Sequence, residues 1–392
     1  MDTLLYATVA IGLEDVAARE GTRLGLVPVP LRARMRGRVL FQAHSLEEGL
    51  MRLLMGARTL HRVGVWVGEA DLPEQGTLRA LREWVFELPW EAWISPKVAF
   101  AARAARRGHQ PFRSPDIERE TGTAVVEALQ ARRAFRAQVH LRDPDLIVRV
   151  DLDASNHAVA WVDVVGYESL HRRGYRAYEH PAPMKGTLAS ALLDLVAWSP
   201  EERLVDPMAG GGTLGIEAAW KALEVPPMLL RAHSLLLFRI PRLEGVARKV
   251  RAQLEGFAWP MRTLDILMAD RFRRHVEGMR QNLRKARVER YIQVVHRPVQ
   301  HLSRWLEQAD VILTNPPYGM RVADPRETER VYVALLDQAA RVLSSGGRLG
   351  LFTPREDLLE RYAPTYGFRI VHRRRVYHGK LPVGLFVLQP DD

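Results

Sequence analysis

Two short stretches hold residue types at spacings that can do chemistry. The first, Leu204-Val205-Asp206-Pro207-Met208-Ala209-Gly210-Gly211-Gly212-Thr213, is an apolar run that delivers an acid and then a glycine-rich turn. Glycines let backbone approach a ligand closely, and a helix opening at Thr213 presents N–H groups with no partner in the helix. Asp206 argues against a phosphate cradle, because an anion beside phosphates is unfavourable and no Gly-Lys-Ser/Thr ending follows. A cationic or zwitterionic cofactor suits the turn better. The second stretch is Asp310-Val311-Ile312-Leu313-Thr314-Asn315-Pro316-Pro317-Tyr318-Gly319. Its two prolines lack N–H donors and fix φ, so the turn presents carbonyl oxygens, notably that of Pro316. The Asn315 side-chain oxygen and the Pro316 carbonyl, aimed at one point, accept both hydrogens of an sp² amine. They turn its nitrogen toward an electrophile and stabilise the positive charge that develops there. Tyr318 offers a platform for a planar ring, which a nucleobase reaches only by leaving its helical stack. Either stretch alone is also what a tight βα turn, or a Pro-Pro turn over a buried Tyr, looks like; the pair points to chemistry.

Other chemistries are closed. The chain has no cysteine, which excludes disulfides, thiolate zinc sites, iron–sulfur clusters and every Cys-nucleophile mechanism. His171, His180, His296, His301 and His378 show no metal-ligand spacing. They read as surface or satisfied histidines, and no metal is expected.

The elements that must position these turns divide into two textures. Residues 4–9 read as a strand, Leu13 to Leu24 as a helix stopped by Gly25, and Arg38 to Phe41 as a second strand. Ser45 with Glu48 forms a capping box for a helix carrying Leu46, Leu50, Leu53 and Leu54, and Val63, Val65 and Val67 alternate as a strand. Between 73 and 166 come a helix with Leu78, Leu81, Trp84 and Val85 and a strand near 97–103. A helix opening at Ser114-Pro115 follows, with Pro at its first position, and then strands at 146–152 and 158–165. Residues 168–183 break periodicity and read as a linker. Beyond it, helix and strand alternate: a helix from Thr187 to Trp198, a strand into Asp206, a helix from Thr213, and strands ending near Asp270, Val295, Thr314 and Phe352. Successive apolar residues in these strands are the mark of buried parallel sheet. Phe368–Val376 and Val383–Leu388 close the chain as a hairpin.

The 392 residues suit two or three domains, and 47% hydrophobic with 26% charged residues is ordinary for folded protein. The net charge is +11, and all but six of the 57 basic residues are arginine, whose planar forks suit phosphates and base faces. Residues 1–182 carry +2 and the remainder +9, so an anionic partner is expected at the C-terminal half. Met1-Asp2-Thr3 has no basic leader and no run of 18 apolar residues occurs, so neither a signal peptide nor a membrane span is expected, and the expected compartment is the cytoplasm.

Asp-Pro-x-x-Gly-x-Gly-Thr followed by Asn-Pro-Pro-Tyr-Gly-x-Arg, running through Arg321, resembles the class I S-adenosylmethionine methyltransferases that modify exocyclic amines. The whole chain is most similar to the THUMP-domain RNA guanine-N2 methyltransferases. Leu5-Tyr6-Ala7-Thr8 with Gly12-Leu13-Glu14-Asp15 resembles that family's opening. Arg172-Arg173-Gly174-Tyr175-Arg176 resembles its linker, and Ala182-Pro183-Met184-Lys185-Gly186-Thr187-Leu188-Ala189 its helix entry. The resemblance implies an α/β fold: a Rossmann-like methyltransferase with a seven-stranded sheet and antiparallel closing hairpin, after an N-terminal α+β region. The implied domains are a ferredoxin-like unit (1–58), a THUMP RNA-binding domain (59–166), a linker (167–182) and the methyltransferase (183–392), with an insertion at about 221–262. It assigns Asn315, Pro316 and Tyr318 to catalysis. Asp206, Gly210, Gly212, Thr213, Asp270 and Thr187 go to S-adenosylmethionine, Asp270 as the ribose acid in preference to Asp265. Asn282 ends the following helix where the family has an Asn. The implied activity is N2-methylation of guanosine in structured RNA, with 23S ribosomal RNA favoured slightly over transfer RNA. The rivals are adenine-N6 or glutamine methylation and a non-catalytic RNA-binding assembly factor. Pyrimidine C5 methylation is excluded, since it normally needs a Cys nucleophile.

Three departures from the family pattern stand out. Val295-His296-Arg297-Pro298-Val299 lacks the acid that often holds the cofactor's adenine amine, so that contact is unassigned. His378-Gly379 replaces an Asn-Gly. Asp206 and Asp270 lie 64 residues apart, against ~20 in a plain dinucleotide unit. Arg231, Arg239, Arg242, Arg248, Lys249 and Arg251 in the intervening insertion are candidates to contact RNA, a solvated helix being the alternative.

Overall fold

The computed structural model describes residues 3–31, 35–318, 325–379 and 381–391. Met1, Asp2, Gly319, Arg321, Lys380 and the His378 side chain, all touched by the sequence reading, lie outside the described residues. The chain forms two compact units. One comprises Met1–Val9, Ala17–Leu170 and Arg231–Gly256; the other comprises Ala10–Val16, His171–Leu230 and Phe257–Asp392.

The first unit runs β1 (Thr3–Thr8), α1 (Glu14–Arg23), β2 (Val27–Val29), β3 (Arg38–Ala43), α2 (Leu46–Gly56), β4 (Arg62–Asp71), α3 (Thr77–Glu87), β5 (Ala99–Arg106), α4 (Ser114–Arg133), β6 (Gln138–Val139), β7 (Leu146–Leu152) and β8 (His157–Asp163). Among the described residues its strands make one eight-stranded sheet in the order β2-β3-β1-β4-β8-β7-β5-β6. Leu5 of β1 pairs with both Phe41 and Val65, so the position between residues 58 and 59 falls inside a continuous sheet. The elements read from periodicity all form. Ser45 caps α2 through the Glu48 N–H at 3.2 Å. In α4 the Asp116 carboxylate accepts from Arg113 N–H at 2.8 Å, and Pro115 takes the second helical position, not the first. It still lies in the turn whose N–H groups have no helical partner. The missed strands β2 and β6 are two or three residues long, too short to show a period.

The insertion completes this unit. Its helix α7 (Glu244–Glu255) packs on α2, and Leu237 N–H donates to the Val164 carbonyl at 2.9 Å. Arg231 is buried and donates to the carbonyls of Ser169 (2.7 Å) and Glu168 (2.9 Å). Arg239 pairs with Asp145 (3.0 Å) and Asp143, Lys249 with Glu47, and Arg242 lies 4.8 Å from the Trp93 ring. Of the six basic residues named in this segment, Arg239, Arg242, Arg248, Lys249 and Arg251 are exposed. Arg231 is a buried anchor, and most of its neighbours have partners inside the unit.

The second unit runs α5 (Gly186–Leu195), β9 (Leu204–Asp206), α6 (Thr213–Ala222), β10 (Ile266–Asp270), α8 (Arg273–Ala286), β11 (Gln293–His296), β12 (Ala309–Thr314), α9 (Pro325–Val342), β13 (Leu343–Thr353), α10 (Glu356–Tyr362), β14 (Phe368–His378) and β15 (Leu381–Pro390). Among the described residues these strands form a seven-stranded sheet in the order β11-β10-β9-β12-β13-β15-β14. It is the expected doubly wound sheet: β15 runs antiparallel to both β13 and β14, and the other pairs are parallel. Val205, Leu267, Ile312, Leu335, Leu351 and Phe386 belong to its core. The edge strand β14 is partly covered by the Gly12-to-Asp15 motif, where Tyr377 N–H donates to the Ile11 carbonyl (3.1 Å) and Arg374 pairs with Asp15 (3.0 Å). Covering an edge in this way removes a template for unwanted strand pairing.

Candidate active site

Parallel strands point one way, so their C-terminal ends, with the loops that follow, share one edge of the sheet, and the strand order reverses between β9 and β12. Open α/β sheets place ligands in the crevice at that point. Asp206 ends β9 and Thr314 ends β12, and the Thr314 hydroxyl donates to Asp206 Oδ1 across it at 2.7 Å. Met208 N–H donates to the same oxygen at 3.1 Å. Asp206 is buried, and its pKa is pushed up to about 7, chiefly by desolvation, with the Asp270 charge adding to the rise and the two hydrogen bonds opposing it. A buried carboxylate in this condition gains from any cation brought beside it.

The glycine turn runs from Asp206 into α6. Gly210 and Gly212 adopt φ of +53° and +81°, which side chains with a Cβ rarely tolerate. A Cβ at Gly210 would also lie 3.2 Å from the His180 ring, and one at Gly212 2.7 Å from Met279. Asp270, at the end of β10, holds the turn in place: its Oδ2 accepts from Gly210 N–H at 3.0 Å, and its Oδ1 accepts from Phe272 N–H at 2.9 Å and faces His275 Nδ1 at 3.2 Å. Asp265 sits before β10, beside Arg203 at 3.5 Å. The His180 and His275 rings meet edge-on at 4.5 Å.

Asn282, on α8, clamps the segment before α5 to this turn. Its Oδ1 accepts from Ala177 N–H and Tyr178 N–H, both at 2.8 Å, and its Nδ2 donates to the carbonyls of Gly211 (2.9 Å) and Tyr178 (3.1 Å). The stretch read as a linker is tied in again by Arg173. This fully buried side chain meets fully buried Glu217 of α6 at 3.1 Å, while Tyr175 and Ser190 hydroxyls donate to the same carboxylate at 2.9 and 2.7 Å. Glu217 and its partners were not singled out from sequence. Glu217 lies four residues after Thr213, on the inward face of α6, and that spacing is the only signal that could have found it.

Asn315 and Pro316 follow Thr314 directly, so the turn expected to accept an amine emerges from β12 beside Asp206. Pro316 is buried, and Asn315 and Tyr318 are half-buried. Tyr318 donates its hydroxyl to Asn315 Oδ1, and burial raises its pKa. Thus the acceptor proposed for a substrate amine is held by an internal donor. Thr213 opens α6 nearly buried, and Thr187 lies buried in the first turn of α5 with its hydroxyl lacking a hydrogen-bond partner. His296 ends β11 exposed, its Nε2 3.0 Å from the Arg271 carbonyl, and no acid stands at that strand end.

The profile of RMKL-like methyltransferase domains matches residues 173–383, and that of THUMP domains matches 76–160. The chain is similar to the tRNA (guanine(6)-N2)-methyltransferase of Archaeoglobus fulgidus, with 31% identity over 97% of this chain and 91% of that one. It is also similar to the ribosomal RNA large subunit methyltransferase K/L of Marinobacter nauticus, with 30% identity over 89% of this chain and 48% of the other. Among solved structures it resembles SMU.472 complexed with SAH, with a TM-score of 0.84 and 26% identity, covering 100% of this chain and 99% of that one.

Proposed function

The chain belongs to the RMKL-like methyltransferase family and carries a THUMP domain, and from that premise we propose that it moves a methyl group from S-adenosylmethionine to the exocyclic N2 of a guanosine in structured RNA. The observation that carries this reading is the Asn315-Pro316 turn leaving β12 beside Asp206, with the glycine turn opening from the same acid. The residues present fit the cofactor. Gly210 and Gly212 leave a cradle without Cβ atoms, buried Asp206 awaits a positive group, and Thr187 holds a buried hydroxyl without a partner. When bound, S-adenosylmethionine supplies a methyl on a positively charged sulfur, a good leaving group.

This chain's own residues do the rest. Asn315 Oδ1 and the Pro316 carbonyl accept the amine hydrogens, orient the nitrogen lone pair, and offset the charge that grows on nitrogen as it alkylates. No strong base is needed, since the alkylated amine is acidic enough to lose its proton to water. Tyr318 stacks on the flipped guanine, and its hydroxyl must release Asn315 for the amine to enter. The unit containing 76–160 is the RNA-binding part, and the cytoplasm is the compartment that fits an RNA substrate. Among the described residues no helix is long and apolar enough to cross a membrane.

Two RNA classes are in play. The relatives named for transfer RNA and for ribosomal RNA stand at 31% and 30% identity. The insertion that tilts the sequence reading toward 23S RNA uses Arg231, Arg239 and Lys249 within its own unit. The test is incubation with isotopically labelled S-adenosylmethionine and separate unmodified transfer and ribosomal RNA, followed by nucleoside mass spectrometry. Label in N2-methylguanosine from either pool supports the reading and names the class. Label only in N6-methyladenosine or in protein overturns it.

A further inference from the structure

Residues 271–304 carry ten basic and two acidic side chains, +8 of the chain's net +11, and all ten basic residues are exposed. Five of them lie on α8, and Arg271 and Arg287 flank it. The apolar residues Val276, Met279 and Leu283 of α8 are buried. Arg273, Arg280 and Arg284, with Arg287 just past the helix end, follow one another at spacings of seven, four and three residues and so share one outward stripe. The 14 residues of the helix give that stripe a length of about 21 Å.

The free protein gains little from this arrangement. Among the described residues, Arg271 and Arg273 alone of the ten meet a carboxylate, that of Glu327 at 2.9 Å and that of Glu277 at 3.0 Å. Arg280 and Lys285 reach backbone carbonyls, those of Val294 (3.4 Å) and Arg176 (3.2 Å). The exposed Arg284 and Arg287 side chains have no ion-pair partner among the described residues. Like charges three or four positions apart destabilise a helix. The helix field also opposes cations in a first turn, yet the first turn of α8 holds Arg273 and Arg274 and no acid. An approaching polyanion offsets both costs at once.

The stripe also starts at the right place. β10 and β11 run parallel and α8 connects them, so α8 opens at the sheet edge that holds the glycine turn and the Asn315 turn and ends at the opposite edge. Asp270 ties the two, accepting from Gly210 N–H of the turn and from Phe272 N–H directly before α8. We propose that the outward face of α8 is a docking surface for the phosphodiester backbone of the RNA, which tracks from the edge of the candidate site along Arg273, Arg280, Arg284 and Arg287. The proposal rests on the RNA reading above and adds a second RNA surface, outside the unit that contains residues 76–160. Guanidinium forks match phosphate oxygens, and side chains about 5–6 Å apart along a helix face meet successive phosphates. A lipid surface does not fit, because the exposed positions from 273 to 285 of α8 carry only charged or amide side chains and a helix that lies in a membrane interface turns apolar ones outward.

The test is filter binding of unmodified transfer RNA and ribosomal RNA over roughly 50 to 200 mM salt, where phosphate contacts dominate the salt dependence. The wild-type chain is compared with the triple variant Arg273→Gln, Arg280→Gln, Arg284→Gln, since Gln keeps helix propensity and removes charge. Arg361→Gln, Arg373→Gln, Arg375→Gln is the charge-matched control, placed around β14 at the opposite edge of the sheet. The α8 triple should bind RNA roughly tenfold or more weakly and flatten the slope of log affinity against log salt by about 2 to 3, the share of three phosphate contacts. Arg284→Gln alone should flatten it by about 0.7 to 0.9. The control should stay near wild type, and S-adenosylmethionine affinity and melting temperature should not fall in any variant. A control that weakens RNA binding as much as the α8 triple overturns the surface in favour of net charge. Unchanged RNA affinity in the α8 variants overturns it in favour of a solvated face or an acidic protein partner, and the wild type's labelling of N2-methylguanosine then leaves the RNA reading standing. A wild-type chain that binds neither RNA removes the RNA reading and this proposal together.

Discussion

Asp206 is an acid kept where its charge is disfavoured. With its pKa at about 7 in the folded chain against ~3.9 for an unfolded Asp, the folded state holds a proton that the unfolded state releases between those values. Stability contributed by this group therefore falls as pH rises from about 4 to 7 and stays low above that. Asp206→Asn should melt several degrees higher than wild type at pH 8, and the gap should narrow at pH 5 and close below about pH 4; thermal scans at pH 8, 5 and 4 check this. The same variant should bind S-adenosylmethionine at least tenfold more weakly at pH 8, because the cation loses its counter-charge. Wild-type affinity should decline below pH 7 as Asp206 takes up its proton, and calorimetry across pH 6 to 8 reads it. At the neighbouring turn, Asn315→Ala should lower kcat by roughly 10²- to 10³-fold, the scale of one lost transition-state hydrogen bond, with RNA and cofactor affinities unchanged. Tyr318→Phe keeps the ring but removes the hydroxyl that occupies Asn315, so its kcat/KM should equal or exceed wild type, while Tyr318→Ala should lose about tenfold or more. A Tyr318→Phe variant as impaired as Tyr318→Ala would show that the hydroxyl itself takes part in the reaction.

Elements meet at this site through polar groups that periodicity does not register. Residues 168–183 have no helical or strand pattern, yet Arg173 and Tyr175 are among the largest fully buried side chains. Their buried partner Glu217 joins the approach to α5 to the helix that opens at the glycine turn, and Asn282 joins the same approach to Gly211. Breaking a buried ion pair on one side leaves an uncompensated charge and costs about 3–5 kcal/mol, whereas removing both partners costs less. Arg173→Met should therefore lower the urea midpoint sharply, and Arg173→Met with Glu217→Gln should recover part of the loss. Additive losses in the double variant would mean that the two side chains act independently. The Asn-Pro-Pro-Tyr turn itself was legible at this scale, because two prolines after an apolar run specify a rigid turn by the chemistry of proline alone. The tether was not, because an arginine in an aperiodic stretch reads as a solvated charge until its partner is seen.

Across the whole chain, neither unit is a continuous stretch of sequence. Residues 231–256 complete the first unit, burying Leu236, Leu237, Leu243, Val246, Ala247 and Val250 and placing α7 against α2. A fragment of residues 1–170 should expose the surface that these residues cover and should melt well below, or aggregate more than, the same fragment carrying 231–256 through a flexible linker; scanning fluorimetry on the two compares them. Equal melting would mean that the segment only rests on that surface. Residues 10–16 belong to the second unit, which gives Gly12-Leu13-Glu14-Asp15 a physical role: Ile11 meets the edge of β14 and Asp15 pairs with Arg374.

The sequence by itself determined what depends on neighbours along the chain. Apolar alternation and unbroken apolar runs set the strands, capping residues set the helix starts, and glycine and proline chemistry set the two turns at the candidate site. The absence of cysteine excluded every mechanism with a Cys nucleophile. Tertiary structure decided what depends on distant partners. It placed Thr314 on Asp206, committed Glu217 to Arg173, left the Thr187 hydroxyl without an acceptor, and returned residues 231–256 to the first unit. A side chain's burial, charge state and free donors are set by what the fold brings against it, and spacing along one strand or helix does not encode them.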